Sequence, residues 1–265
     1  MNTVRSRDGT PIAFDRRGTG APVVLVDGAL CHRAMGPSTP LAELLAGRFT
    51  VFTYDRRGRG DSGDTPPYAV EREIEDIAAL VNEAGGAAFV YGVSPGAALA
   101  LEAANRLPGI RKLALYEAPF IVDGTRAPVS KDYWARIGES VAAGRRSEAV
   151  RLFLSAVGVP AIFVTMMRVT PAWSKLKAVA HTLPYDGALV QDNQKGKPFP
   201  AGRWASVTMP TLVMDGGKSP AWIRNAMRSL AEVLPNAQYR TLEGQTHMVK
   251  REAHVPVLEE FYSSS

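Results

Sequence analysis

The chain has 265 residues, of which 46% are hydrophobic and 22% are charged, close to the averages for soluble globular proteins. These proportions exclude a disordered, collagen-like or coiled-coil chain, and no apolar run approaches the roughly 18–20 residues that cross a bilayer. The net charge of +5 comes from scattered basic residues, and the densest group, Arg56–Arg59, is followed closely by Asp61 and Asp64. We therefore expect no nucleic-acid or membrane partner. Met1–Asp8 has no apolar signal-peptide core, so we expect a cytoplasmic protein.

A single cysteine, Cys31, cannot form an intramolecular disulfide or supply a thiolate metal cage. The histidines are far apart in the sequence, and no His-Glu-x-x-His motif is present. No glycine-rich segment has the spacing of a nucleotide-phosphate loop. We therefore expect stability to come from a buried core, with no metal and no cofactor.

The first half of the chain alternates between apolar runs and helical patterns, after a hairpin signalled by Asp8-Gly9. The predicted strands are Thr3–Arg5, Ile12–Arg16, Pro22–Val26, Phe49–Tyr54, Ala87–Val93 and Lys112–Tyr116. The predicted helices are Leu41–Leu45, Val70–Glu83 and Gly96–Arg106. Continuous apolar runs of this length are typical of strands buried on both faces of a parallel sheet.

The alternation stops at about Phe120 and resumes after Ser206. The helices predicted between them are Tyr133–Ala142, Glu148–Ala156, Ala161–Arg168 and Trp173–His181. The elements predicted after them are the strand Thr211–Asp215, the helix Ala221–Leu234, the strand Gln238–Leu242 and the helix His254–Tyr262. We expect an α/β fold whose core, residues 1–120 and 207–265, has a mostly parallel sheet with crossover helices, interrupted by a helical cap at 121–206.

The segment Gly92-Val93-Ser94-Pro95-Gly96 has the form G-x-S-x-G at a strand–turn–helix junction. Glycines on either side permit a strained turn that exposes the Ser94 hydroxyl at the carboxyl ends of the strands, where open α/β sheets bind ligands. The alternative is that Ser94 only caps the following helix. That role would not need the two glycines.

A serine nucleophile needs a base, and the chain offers His32, His181, His247 and His254. His247 follows the last predicted strand and should lie on the same rim of the sheet as Ser94. We expect His254, in the final helix, to be a surface residue. His32 follows a long apolar run and is a candidate pocket residue, while His181 belongs to the predicted cap.

These features resemble the α/β-hydrolase superfamily, and the resemblance covers nearly the whole chain. Besides the elbow around Ser94, Tyr54–Ser62 is similar to the family's D-x-R-G-x-G-x-S loop, and Asp27-Gly28-Ala29 stands where relatives often carry His-Gly-x. The resemblance implies Ser94 as nucleophile, His247 as general base and acid, and the backbone N–H of Ala29 as an oxyanion donor. It assigns Gly28, Leu30 and Pro95 to the oxyanion and substrate-binding region and implies a small-molecule substrate.

The third member of the triad departs from the commonest family pattern. Ser219 stands where relatives usually place an Asp, in the turn after the strand Thr211–Asp215. A recognised variant takes the acid from the strand after the nucleophile helix, and Glu117 ends that strand here. We therefore predict Glu117 as the acid, with Asp215 as the alternative.

Pro95 is the second departure, because family enzymes use the backbone N–H of the residue after the nucleophile as an oxyanion donor and proline has none. The leading hypothesis is a metal-independent hydrolase that cleaves a carboxylic ester or lactone through an acyl-enzyme. One alternative is a lyase, isomerase or cyclase on the same fold, and another is a ligand-binding protein without turnover. The apolar side chains expected in the cap suit an apolar substrate, and we expect about a third of them to line the pocket. They are Trp134, Phe153, Phe163, Met166, Met167 and Trp173.

Overall fold

An eight-stranded, mostly parallel sheet forms the centre of the molecule. The computed structural model describes residues 1–264, and the side chain of Lys131 is outside this description. The strands are β1 (Asn2–Arg5), β2 (Pro11–Arg17), β3 (Ala21–Val26), β4 (Phe49–Tyr54), β5 (Ala88–Val93), β6 (Ile110–Tyr116), β7 (Thr211–Gly216) and β8 (Ala237–Leu242). Their spatial order is β1-β2-β4-β3-β5-β6-β7-β8.

The sheet combines an antiparallel edge with a parallel centre. β1 pairs with β2 and β2 with β4 in antiparallel fashion, while every pairing from β4 through β3 to β8 is parallel. The central strands are buried along most of their length because helices cover both faces. This arrangement confirms the predicted fold class and brings the carboxyl ends of β3, β5, β6 and β7 to one edge of the sheet.

Ten α-helices connect or cover the strands within residues 1–264. They are α1 (Ser38–Leu45), α2 (Val70–Glu83), α3 (Pro95–Ala104), α4 (Lys131–Ala142), α5 (Arg146–Ala156), α6 (Ala161–Met167), α7 (Pro171–Val179), α8 (Leu183–Val190), α9 (Ala221–Val233) and α10 (Arg251–Ser263). Buried side chains of α2, α3 and α9 pack on one face of the sheet, and those of α1 and α10 pack on the other. Both faces are therefore closed by apolar packing.

The segment between β6 and β7 contains α4 to α8 and no strand within the described residues. Sequence reasoning missed α8, because Pro184 and Gly187 weaken the helical signal there. Pro184 stands in the first turn of α8, where a missing N–H costs nothing. The assignment of 121–206 to a separate cap remains a prediction, and we call α4–α8 the cap helices below.

The expectation that His254 lies at the surface was wrong. His254 is buried on α10, in the apolar stripe that also contains Leu258, Phe261 and Tyr262. Its ring packs against those of Tyr91 and Tyr116, with centroids 5.0 and 5.2 Å away. Burial lowers the pKa of His254 from 6.5 to about 3. The residue is therefore a neutral part of the core.

Within the described residues, no helix combines the length and the apolar character needed to span a bilayer.

Candidate active site

Ser94 lies on a strained turn between β5 and α3, with φ 57° and ψ −134°. A positive φ is rare for a residue with a side chain and costs about 1–3 kcal/mol, so the surrounding structure must hold it in place. The backbone N–H of Ser94 donates to the Tyr116 carbonyl at 2.9 Å, and its carbonyl accepts from Ala97 at 2.9 Å. The Ser94 side chain makes no capping hydrogen bond to α3, so the capping alternative was wrong.

The two glycines of the elbow are required by close backbone contacts. A Cβ on Gly96 would lie 2.4 Å from the carbonyl oxygen of Val26, and one on Gly92 would lie 2.5 Å from that of Gly96. Both distances are too short for a carbon next to a carbonyl oxygen. Glycine at position 96 therefore lets the turn pack against the end of β3, and glycine at position 92 lets it pack against the start of α3.

Glu117, which directly follows β6, holds His247 in the loop after β8. Its Oε2 lies 2.7 Å from Nδ1 of His247, and its Oε1 accepts the backbone N–H of Gly216 at 2.7 Å. Glu117 is fully buried and also has a positive φ of 47°, which turns the chain at the end of the strand. If the carboxylate is ionised it accepts at both oxygens, and Nδ1 of His247 is then the ring nitrogen that carries the proton.

The loop that carries His247 is fixed by the end of β7. Lys218 N–H donates to the Gln245 carbonyl at 2.8 Å, and the Tyr116 hydroxyl donates to the Thr246 carbonyl at 2.6 Å. A Cβ on Gly216 would lie 2.6 Å from the Gln245 carbonyl oxygen, so the two loops pack in direct contact. The chain at the end of β7, together with Tyr116 of β6, therefore positions the loop that carries His247.

Asp215 is also fully buried, but its carboxylate contacts Tyr239 and not His247. Its Oδ2 accepts the Tyr239 hydroxyl at 2.5 Å, and the Arg224 Nε is 4.0 Å away. Burial raises the pKa of Asp215 above its usual value. Ser219 is buried nearby with no hydrogen-bond partner for its hydroxyl among the described residues. The structure thus brings Glu117, and not Asp215, to His247.

The loop after β3 lies directly beside the elbow. A Cβ on Gly28 would be 3.1 Å from Ser94 Cβ and 3.8 Å from Pro95 Cδ. Leu30 has a positive φ of 59° and packs with Ala29 against apolar residues of the cap helices. The Gly28 carbonyl accepts a hydrogen bond of 2.6 Å from Arg59 Nη1, which fixes the orientation of this loop.

Pro95 is the first residue of α3, where proline fits the helix well. It lines the same cavity as Ser94 but has no N–H to offer an oxyanion.

Buried ion pairs connect the loop after β4 to the cap helices. Asp186 of α8 accepts from Arg56 at 2.8 Å and from Arg59 at 2.9 and 3.0 Å. Arg56 also pairs with Glu73 of α2 at 2.7 Å. All four side chains are almost completely buried, so each charge depends on its partners. No sequence motif around Asp186 indicates that it pairs with these arginines.

A cavity of about 200 Å³ lies between the elbow and the cap helices. Ser94, Glu117 and His247 border it. The rest of its lining is mostly apolar, with Pro95, Pro119, Ile121, Arg126, Val129, Tyr133, Trp134, Phe153, Ala156, Val157, Asp186, Val190, Gln194, Pro220, Trp222 and Ile223. Trp134 is held by a hydrogen bond of 3.0 Å from its Nε1 to Gln194 Oε1. The site is therefore a small, largely apolar chamber with a few polar groups.

Only some of the apolar cap residues singled out from the sequence border this cavity. Trp134 and Phe153 line it, whereas Phe163 and Met166 are exposed to solvent. Met167 and Trp173 pack inside the cap helices. The expected share of about a third is confirmed.

Three other residues singled out from the sequence do not line the cavity: His181, His32 and Cys31. His181 faces the loop after β4, with Nε2 3.9 Å from Asp64 Oδ2, and burial lowers its pKa. His32 forms a short backbone bridge with Met35. Burial raises the pKa of the Cys31 thiol to about 12, so this cysteine is not a reactive thiolate.

Comparison with known proteins identifies the family. The family model described as "Alpha/beta hydrolase family" matches residues 18–259, and the chain belongs to this family. A crystal structure of an alpha/beta hydrolase from Sphaerobacter thermophilus is 57% identical, covers 99% of this chain and 100% of that chain, and superimposes with a TM-score of 0.90.

Two relatives carry specific activities in their names. The chain is 27% identical to the pimeloyl-(acyl-carrier protein) methyl ester esterase of Xanthomonas axonopodis pv. citri, over 88% of this chain and 90% of that protein. The enol-lactonase from Burkholderia xenovorans is 20% identical with a TM-score of 0.71, covering 99% of this chain and 100% of that chain. At this identity, the likeness to the lactonase shows the shared fold.

Proposed function

We propose that this protein is a serine hydrolase that cleaves a carboxylic ester or lactone of a small molecule through an acyl-enzyme. The contact of 2.7 Å between Glu117 Oε2 and His247 Nδ1, at a cavity that Ser94 also borders, carries this proposal. An acid–histidine pair beside a serine on a strained elbow is the constellation that activates a hydroxyl for acyl transfer. The methyl ester esterase among its relatives supports the same reaction class.

The proposed reaction begins with attack of Ser94 Oγ on the substrate carbonyl carbon. Nε2 of His247 takes the hydroxyl proton, and the Glu117 carboxylate stabilises the resulting imidazolium without itself taking the proton. Collapse of the tetrahedral intermediate breaks the bond to the alkoxy group, which leaves with the proton from His247. Water, activated by the same imidazole, then attacks the acyl-enzyme and restores Ser94. No step requires a metal ion, and we propose none.

The oxyanion of the intermediate has one candidate backbone donor in this arrangement, the N–H of Ala29. Loss of an oxyanion donor costs roughly 10²–10³ in rate where it has been measured. We therefore propose a hydrolase whose rate is limited by the missing donor at Pro95 and which acts best on activated esters or lactones.

Pro95 also supports a second candidate function, a lyase, isomerase or cyclase whose reaction forms no tetrahedral oxyanion. In that reaction His247 and Glu117 would transfer protons, and Ser94 would hydrogen-bond to the substrate.

Steady-state hydrolysis of nitrophenyl acetate, nitrophenyl butyrate and a series of γ-lactones tests the proposed function. Ser94→Ala and His247→Ala should each lower kcat/KM by at least about 10³-fold. His32→Ala, which changes a histidine outside the cavity, is the matched control and should retain wild-type turnover. Hydrolysis that survives in both site variants would reject the serine mechanism.

A further inference from the structure

Arg126 brings a positive charge to the lining of the cavity that also contains Ser94 and His247. It lies in the segment between β6 and α4. Most of the lining is apolar, so a guanidinium at this position needs an explanation. Burial lowers the pKa of Arg126, but arginine remains charged in proteins.

The guanidinium of Arg126 is held in a defined orientation. Its central carbon lies 4.3 Å from the centre of the Trp222 ring, in a cation–π contact. Its Nη2 donates to the Ala156 carbonyl at 2.8 Å, at the end of α5. Stacking and one backbone hydrogen bond fix the group, while most of its five N–H donors remain available.

No carboxylate within residues 1–264 forms a salt bridge with Arg126. The nearest acidic residue in sequence, Asp123, accepts instead from Thr125 and from Asn225 Nδ2. The two carboxylates that line the cavity are also engaged, Glu117 with His247 and Asp186 with Arg56 and Arg59. Arg126, which borders the cavity, therefore has a fixed guanidinium and no carboxylate partner among residues 1–264.

We infer that Arg126 binds a carboxylate on the substrate, so that the substrate class is a small ester or lactone that carries a free acid group. The planar fork of arginine matches a carboxylate in two parallel hydrogen bonds, and partial burial strengthens them. The ester or lactone part of this inference rests on the proposed function. The binding of a carboxylate by Arg126 does not depend on it.

The size of the cavity limits the substrate further. Its volume of about 200 Å³ is below the roughly 300–1,000 Å³ of sites for drug-sized ligands. Ser94 and Arg126 border the same chamber, so a single short molecule would carry both the reacting carbonyl and the carboxylate. We therefore expect a short acyl chain between the two groups.

Titration calorimetry with two matched esters tests the anion site without turnover. Monomethyl glutarate carries an ester and a carboxylate, and dimethyl glutarate is its neutral counterpart. With Ser94→Ala protein, the anionic ester should bind at least about 10-fold more tightly, as expected for hydrogen bonds to a charged group. Adding Arg126→Gln should abolish this preference, while adding Arg136→Gln, an exposed arginine of α4, should not.

Equal affinity for the two esters, no measurable binding of the anionic ester, or a preference that survives in Arg126→Gln would each overturn the inference. Thermal unfolding of each variant shows whether the fold is retained. Should Arg126→Gln fail to fold, Arg126→Lys replaces it, because lysine keeps the charge but loses the fork and should weaken the preference several-fold.

Turnover of the same esters by the wild-type protein separates the two proposals. A preference in binding, with no hydrolysis of either ester or of nitrophenyl acetate, would support the anion site and reject the proposed hydrolase. Hydrolysis of both esters with equal kcat/KM, unchanged in Arg126→Gln, would support the hydrolase and reject the anion site.

Discussion

Glu117 Oε2 lies 2.7 Å from His247 Nδ1, although the two residues are 130 positions apart in the chain. The contact is possible because β6 and β7 are parallel neighbours and the loop after β8 folds back across the end of β7. The carboxylate in contact with His247 therefore directly follows β6, the strand after α3. Gly216 at the end of β7 supplies the N–H that holds the other oxygen of Glu117.

Glu117→Gln should lower kcat/KM for ester hydrolysis by about 10³–10⁴-fold. The amide oxygen can still accept from Gly216, but the amide NH₂ then faces Nδ1 of His247 and favours the wrong tautomer. Steady-state kinetics measure the loss, and circular dichroism checks the fold. Asp215→Asn is the matched control, because Asp215 contacts Tyr239, and it should stay within a few-fold of wild type. An equal loss in Asp215→Asn would contradict the assignment of the acid.

Pro95→Ala should raise kcat/KM for ester hydrolysis by about 10²–10³-fold, because it restores the backbone N–H that oxyanions use in this family. Pro171→Ala, which changes a proline in the same position of α7, controls for general effects on a helix start and should leave the rate unchanged. Turnover of a nitrophenyl ester is the measurement. An unchanged rate in Pro95→Ala would favour the non-hydrolytic alternative.

Asp186→Asn should destabilise the protein by about 3–5 kcal/mol, because it leaves the buried charges of Arg56 and Arg59 without a shared counter-ion. Urea unfolding followed by tryptophan fluorescence measures the change. Asp192→Asn removes an exposed pair with Lys195 and should cost less than ~1 kcal/mol. A similar small loss in Asp186→Asn would show that the buried network does not stabilise the cap helices against the sheet.

His254→Phe should make the protein less sensitive to acid. The folded pKa of His254 is lowered from 6.5 to about 3, so its contribution to stability is present above pH 6.5 and is lost as the pH falls towards 3. Between about pH 7 and pH 4.5, the loss from this residue is roughly 2–3 kcal/mol. Phe keeps a planar ring against Tyr91 and Tyr116 and cannot be protonated.

Urea unfolding at both pH values compares the variant with wild type and with His32→Gln, a change at a half-buried loop histidine. An acid dependence in His254→Phe equal to that of wild type would show that His254 is not protonated on unfolding.

The sheet, the elbow and the candidate triad could be predicted because their signals are local. Gly92, Ser94 and Gly96 form a motif whose spacing reflects close contacts with the start of α3 and the end of β3. Glu117 directly follows the buried strand β6, and His247 lies in the loop after β8. In each case a polar residue beyond the carboxyl end of a predicted strand indicates the rim of the sheet.

Other features depend on contacts between distant segments and leave little local signal. Asp186 is one acidic residue in a proline-containing cap helix, and only the fold shows that it meets arginines about 130 positions earlier. Arg126 has no motif around it. His254 was predictable, because Leu258 and Phe261 follow it at helical spacing and continue the same apolar stripe.

Intact-mass spectrometry after incubation with a fluorophosphonate tests the activation of Ser94 most directly, since this probe phosphonylates only serines made nucleophilic by a base. We predict a single adduct on the wild-type protein, none on Ser94→Ala, and much slower labelling of His247→Ala. An unlabelled wild-type protein, or an adduct that persists in Ser94→Ala, would contradict the proposal that Ser94 is the nucleophile.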